Sequence, residues 1–270
     1  MISPIVSIDS VPQPATLLDA RTRDAYERGH LENAIHADVD VHLSTARDPG
    51  ADPSRGGRHP LPPLGRWLQQ LGVWGIGPET DVVIYDDQAG ANAAARAWWM
   101  LRSVGHERVT VLDGGFRAAV DAGSPVTTEP PRIEPREPYP ADRWQRPTVS
   151  REEVDRLRRD PAWKVLDVRS TPRFLGDTEP IDPIAGHIPG AVNLPFSENL
   201  EGDRFKSPAA LRTQYEQFLG DTHPDHLVVH CGSGVTACHT LLALEAAGLD
   251  GAALYVGSWS EWCRNEFGVR

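Results

Sequence analysis

The stretch Leu227-Val228-Val229-His230-Cys231-Gly232-Ser233-Gly234-Val235-Thr236-Ala237 decides how the whole chain is read. It opens as a short apolar, β-branched run with the length of a buried parallel strand. Two glycines follow, and then Val235 to Ala247, an Ala/Leu-rich stretch that predicts a helix stopped at Gly248, a residue suited to the left-handed cap position. Strand, glycine loop and helix in succession imply an α/β unit. Working outward, each element has a counterpart earlier in the chain. Val82-Val83-Ile84-Tyr85-Asp86 matches Leu227-Val228-Val229-His230-Cys231, and a second predicted helix, Ala93 to Val104, ends at Gly105. Leu17-Leu18-Asp19-Ala20-Arg21 returns as Val165-Leu166-Asp167-Val168-Arg169. Gly29-His30-Leu31 returns as Gly186-His187-Ile188, and Val111 to Phe116 returns as Leu254 to Trp259. The shifts lie between 143 and 157 residues, so this is a duplicated domain and not a solenoid repeat. The expected architecture is α/β twice, each copy a parallel sheet with helices on both faces. The expected limits are 1–123, a proline-rich linker over 124–147, and 148–270.

Composition narrows the functional classes. Against 27 Lys+Arg stand 38 Asp+Glu, a formal net charge of −11, which disfavours a nucleic-acid partner. The start MISPIVSIDS lacks a basic n-region, and no 18-residue apolar run occurs, so neither an export signal nor a membrane span is expected. Three cysteines without C-x-x-C spacing argue against a disulfide framework and a structural zinc site, and for a reducing, cytoplasmic location. His30, His36 and His42 recur every six residues without sharing a helical face; no metal and no cofactor is expected.

The chemistry concentrates at Cys231. In α/β folds ligands bind at the carboxyl ends of strands, where this loop falls. Gly232 and Gly234 allow successive N–H groups to turn inward ahead of a helix N-terminus, forming an anion-binding concavity. Cysteine reacts as thiolate, and such a setting lowers its pKa from the free value of about 8.5. A buried, inert cysteine is the plain alternative, and the glycine-flanked loop argues against it.

Cys231-Gly232-Ser233-Gly234-Val235-Thr236-Ala237, the Leu-Asp-x-Arg and Gly-His-Ile-Pro-Gly-Ala blocks, and Gly257-Ser258-Trp259-Ser260-Glu261-Trp262 together resemble a tandem rhodanese-type sulfurtransferase, over nearly the whole chain. The resemblance implies a ping-pong transfer in which Cys231 takes sulfur from a donor, becomes a persulfide and passes it to a small-molecule acceptor or a thioredoxin-like dithiol. It also implies one active site, because Asp86 stands where the repeat puts Cys231 and cannot carry sulfur. The neutral Gly232 and Ser233 resemble the loop of the 3-mercaptopyruvate enzymes. Thiosulfate-specific members have basic residues there, and thiosulfate stays the alternative donor. Arg173 matches the arginine that holds the donor's anionic end, with Gly232, Gly234, Val235 and Thr236 lining the site. A second arginine usually precedes the Gly-His block, but Thr178 to Ala185 contains none; Arg55 or Arg58 is the expected substitute. His59, in His-Pro-Leu-Pro, is expected to form a proton relay with Ser233, and Asp40 to orient the imidazole.

Two rivals are weighed. A cysteine phosphatase needs an arginine six residues after its cysteine to clamp phosphate, and that residue is Ala237. A non-catalytic relay or binding module has no need of a reactive cysteine in a glycine loop.

Overall fold

Val82–Tyr85 is buried at all four positions, which a strand can be only where both faces of its sheet are covered. Leu227–His230 is buried in the same way. Each is the central strand of a parallel sheet in the computed structural model, which describes residues 3–91 and 93–265. The first sheet orders its strands Ile5–Val6, Val109–Leu112, Val82–Tyr85, Thr16–Asp19 and Ile35–His36. Its register sets Leu18 beside Ile84 and Asp19 beside Tyr85. The second orders Ala253–Leu254, Leu227–His230, Lys164–Asp167 and Val192–Asn193, with His230 beside Asp167. The parallel bridge Thr148 to Leu254 echoes the edge pairing of Ile5 with Val111.

The duplication extends to buried charge. Arg21 donates to Asp19 through Nη2 at 2.6 Å and to Gly29 O at 2.7 Å. Arg169 repeats this with Asp167 at 2.6 Å and Gly186 O at 2.8 Å. Each guanidinium also lies over an aromatic ring, Phe116 in the first copy and Trp259 in the second. A buried ion pair persists where further hydrogen bonds support it, and in both copies the guanidinium also donates to a turn carbonyl. Shared by both copies, the pair ties the strand end to the turn that follows it.

The helices lie close to expectation. Ala94–Ser103 and Ala237–Ala246 follow the central strands, and Gly105 and Gly248 adopt φ +81° and +69°. The second helix starts two residues later than its sequence suggested. Cys238 and His239 donate to Val235 O and Thr236 O, three residues back, so a tight turn precedes the regular helix. Trp259 and Trp262 lie on the helix Ser258–Trp262 and are fully buried in the second unit's core with Val165, Val228 and Tyr255.

The chain divides into two compact units, though not at the expected linear limits. The first comprises 1–44, 62–145 and 202–205; the second comprises 45–61, 146–201 and 206–270. The proline-rich stretch is therefore no free linker. Its prolines forbid a helix, but an extended strap can still donate, and Arg136 and Tyr139 bond to Gly72 O and Leu68 O of the helix Leu64–Val73. The segment 45–61 is held in the second unit by bonds described next.

Candidate active site

The Cys231 loop lies at the carboxyl end of the central strand of the second unit. Cys231 is 3 % exposed and its thiol is free. Its N–H donates to Ser258 Oγ (3.2 Å), and its carbonyl accepts from Trp259 N (3.0 Å). Gly232 O accepts from Ser260 N at 2.9 Å, so the start of the helix Ser258–Trp262 holds two consecutive loop residues. Gly234 has φ +74°, and a Cβ there would stand 2.4 Å from Val256 O; no other residue fits. Val235 is buried, and Thr236 is the N-cap residue of the next helix, without a side-chain capping bond.

The segment 45–61 lies against this loop within the same unit. Gly56 N–H donates to Glu261 Oε1 (2.8 Å) and Arg58 N–H to Ser260 Oγ (3.0 Å). A Cβ on Gly57 would meet Gly257 O at 2.3 Å, so the backbones touch. Anchored in this way, the segment brings His59 Nδ1 to 2.8 Å from Ser233 Oγ. It also brings Arg58 to Gly232: a methyl group on that glycine would stand 3.1 Å from Arg58 Nη2 and 3.5 Å from Arg173 Nη2. Arg55 departs from expectation, being 88 % exposed and paired only loosely with Asp52 at 3.9 Å. Asp40 belongs to the first unit, in a turn where its N–H donates to Asp38 Oδ1.

Two carboxylates unforeseen from the sequence hold the arginines. Glu179 bonds Arg173 Nη2 (2.7 Å) and Arg169 Nη1 (3.1 Å), and accepts from the Ile181 and Asp182 amides. Asp182, whose carboxylate is fully buried, receives Arg58, Arg264 (2.9 Å) and, at 3.9 Å, Arg173. Burial pushes the Glu179 carboxyl upward, but Arg173 and the two amides outweigh it and leave its pKa below the ordinary value. Four guanidiniums (Arg58, Arg169, Arg173, Arg264) thus meet three carboxylates (Asp167, Glu179, Asp182). The network carries one positive charge in excess, beside a loop whose own side chains are neutral. That arrangement suits a monoanion. His230, directly before the cysteine, is fully buried and its pKa is lowered by that burial, so it is neutral near pH 7.

The sequence held a signal for these residues. Glu179 and Asp182 lie in the segment where a second arginine is missing, and acids between Arg173 and the Gly186-His187 turn are the natural partners of nearby arginines. Ser258 stands where the first copy has Gly115.

The first unit's equivalent loop is built around its own carboxyl group, whose pKa burial raises against the opposing pull of four backbone amides. Asp86 Oδ1 accepts from the Gln88 and Gly90 amides, and Oδ2 from those of Ala93 and Ala94, at 2.8–3.2 Å. The side chain sits where a bound anion would.

Comparison with known proteins agrees with this picture. The family model for the rhodanese-like domain matches twice, at residues 8–122 and 150–265. A protein of Pseudomonas aeruginosa named "Probable 3-mercaptopyruvate sulfurtransferase" is 40% identical over 239 residues, covering 88% of this chain and 82% of that protein. The thiosulfate sulfurtransferase of Bos taurus is 40% identical over 208 residues, 75% of this chain and 69% of that one. Among solved structures, 3-mercaptopyruvate sulfurtransferase from Leishmania major superposes with a TM-score of 0.83 at 30% identity, covering 96% of this chain and 74% of that one.

Proposed function

The chain belongs to the rhodanese-like family, and from that premise we propose that it is a sulfurtransferase that takes sulfur from 3-mercaptopyruvate through a persulfide on Cys231. The observation that carries the donor assignment is the pair of guanidiniums, Arg58 and Arg173, set against Gly232 in a loop with no charged side chain of its own. A carboxylate held by planar guanidiniums leaves the donor's thiol end for Cys231.

In the first half-reaction the Cys231 thiolate attacks the donor sulfur, the sulfur–carbon bond breaks, and its electron pair stays on carbon as the enolate of pyruvate. The enolate takes up a proton, for which His59 and Ser233 are the relay. In the second half-reaction an acceptor nucleophile attacks the outer sulfur and Cys231 leaves as thiolate. No external oxidant or reductant is required. Cyanide, a small thiol or a thioredoxin-like dithiol are acceptors of suitable nucleophilicity. Three cysteines outside any disulfide fit a reducing cytoplasm, and among the described residues no helix is long and apolar enough to cross a membrane.

Thiosulfate remains the second donor, because a relative at 40% identity carries that name. The test is intact mass after incubation with 3-mercaptopyruvate or thiosulfate and removal of donor, with Cys231→Ser in parallel. A gain of one sulfur on the wild type alone, faster from 3-mercaptopyruvate, is expected. Faster loading from thiosulfate reverses the donor assignment, and no gain from either donor overturns the transferase reading.

A further inference from the structure

Ser258 has a backbone that its residue type disfavours. Its φ is +54°, in the left-handed region, and its side chain is fully buried at the start of the helix Ser258–Trp262. The internal duplication supplies the comparison. The equivalent residue of the first copy is Gly115, at φ +55°, where a Cβ would stand 2.2 Å from Asp86 O. The turn therefore demands the left-handed conformation in both copies, and glycine meets the demand without strain. Only the copy that holds the cysteine places a side chain there.

What that side chain does is specific. Ser258 Oγ accepts the N–H of Cys231 at 3.2 Å and donates to Tyr255 O at 2.9 Å, so the hydroxyl's proton is committed and its orientation fixed. The next two residues hold the carbonyls of Cys231 and Gly232. Amide and carbonyl of the nucleophile are thereby fixed from one helix end, which leaves Cys231 χ1 as the remaining freedom of the sulfur. Backbone strain kept at a functional site, where a less strained residue is available in the sister copy, points to a task beyond folding.

We propose that Ser258 is a positioning residue for Cys231: its hydroxyl, delivered by a strained backbone, fixes the nucleophile's amide and so the direction of its sulfur. The proposal rests on the assignment of Cys231 as nucleophile but not on the donor. It separates from a merely structural role because two substitutions remove the same hydroxyl and its two hydrogen bonds while differing in backbone strain. Ser258→Gly relieves the left-handed strain; Ser258→Ala retains it.

The experiment measures thermal melting, the rate of Cys231 alkylation by iodoacetamide against pH, and single-turnover sulfur loading from 3-mercaptopyruvate for wild type, Ser258→Gly and Ser258→Ala. Expected is a fall of about tenfold in loading rate in both variants with donor KM within twofold of wild type. A parallel fall in alkylation rate is expected in both, although Ser258→Gly melts above Ser258→Ala. Wild-type loading and alkylation in Ser258→Gly, or activity that follows the melting temperature across the pair, overturns the proposal. If wild type alkylates at Cys231 but does not load sulfur, the donor reading fails, and the alkylation rates of the variants still decide the role of Ser258.

Discussion

Replacing Arg58 by alanine tests whether a residue 124 positions before Asp182 completes the donor site. The structure separates its effect on folding from its effect on binding. Orphaning a buried carboxylate costs about 3–5 kcal/mol, but Asp182 keeps Arg264 at 2.9 Å and Arg173 at 3.9 Å when Arg58 is lost. The fold therefore survives. On the donor side, a hydrogen bond to a charged group contributes about 1.5–3 kcal/mol. The Arg58 side chain is 21% exposed, so solvent screening favours the lower part of that range. At about 1.4 kcal/mol per factor of ten, the expected loss in kcat/KM for 3-mercaptopyruvate is roughly ten- to fortyfold. The donor's carboxylate is ionised before and during sulfur transfer, so the loss belongs in KM, with kcat nearly unchanged. Arg58→Lys should recover only part of it, since an ammonium cannot present the planar fork. Initial rates of pyruvate release across donor concentration, at constant ionic strength, give both constants. Arg55→Ala is the control, because Arg55 points into solvent. A KM for Arg58→Ala within twofold of wild type, or an equal effect from Arg55→Ala, refutes the reasoning.

The first unit's loop should fail structurally and not catalytically when its internal carboxyl group is lost. Asp86→Asn sets an amide NH2 against two backbone donors, costing about 2–4 kcal/mol. Calorimetry should show melting lower by roughly 5–15 °C, with Cys231 loading per folded molecule unchanged; an unshifted melt would show that the carboxylate contributes nothing to that loop. Acid should destabilise the protein through histidines held neutral. Burial lowers the pKa of His42 to about 4 and also lowers that of His230, whereas both titrate near 6.5 when unfolded. The unfolded chain then binds more protons, so stability falls as pH drops below about 6.5, by up to about 1.4 kcal/mol per pH unit for each histidine. Urea melts at pH 7.5, 6 and 5 check this, and equal midpoints would contradict it.

Much of this was legible in the sequence, and for local reasons. Apolar runs such as Val82–Tyr85 and Leu227–His230 declare buried strands by composition, and Gly105 and Gly248 end helices because left-handed backbone excludes most other residues. The duplication by itself sets Asp86 opposite Cys231. The lack of an arginine before Gly186 is visible too, and the sequence alone leaves Arg55 and Arg58 as its substitutes.

Tertiary structure separates the surroundings of those two, because a guanidinium's setting depends on which carboxylate it meets. Arg58 finds Asp182 across 124 residues and His59 finds Ser233 across 174, distances over which periodicity and propensity carry no information. The membership of residues 45–61 in the second unit has the same origin, in bonds from Gly56 and Arg58 to Glu261 and Ser260. Chain order thus determined the elements and the identity of the loop. Burial and charge pairing between distant segments decided which side chains surround it.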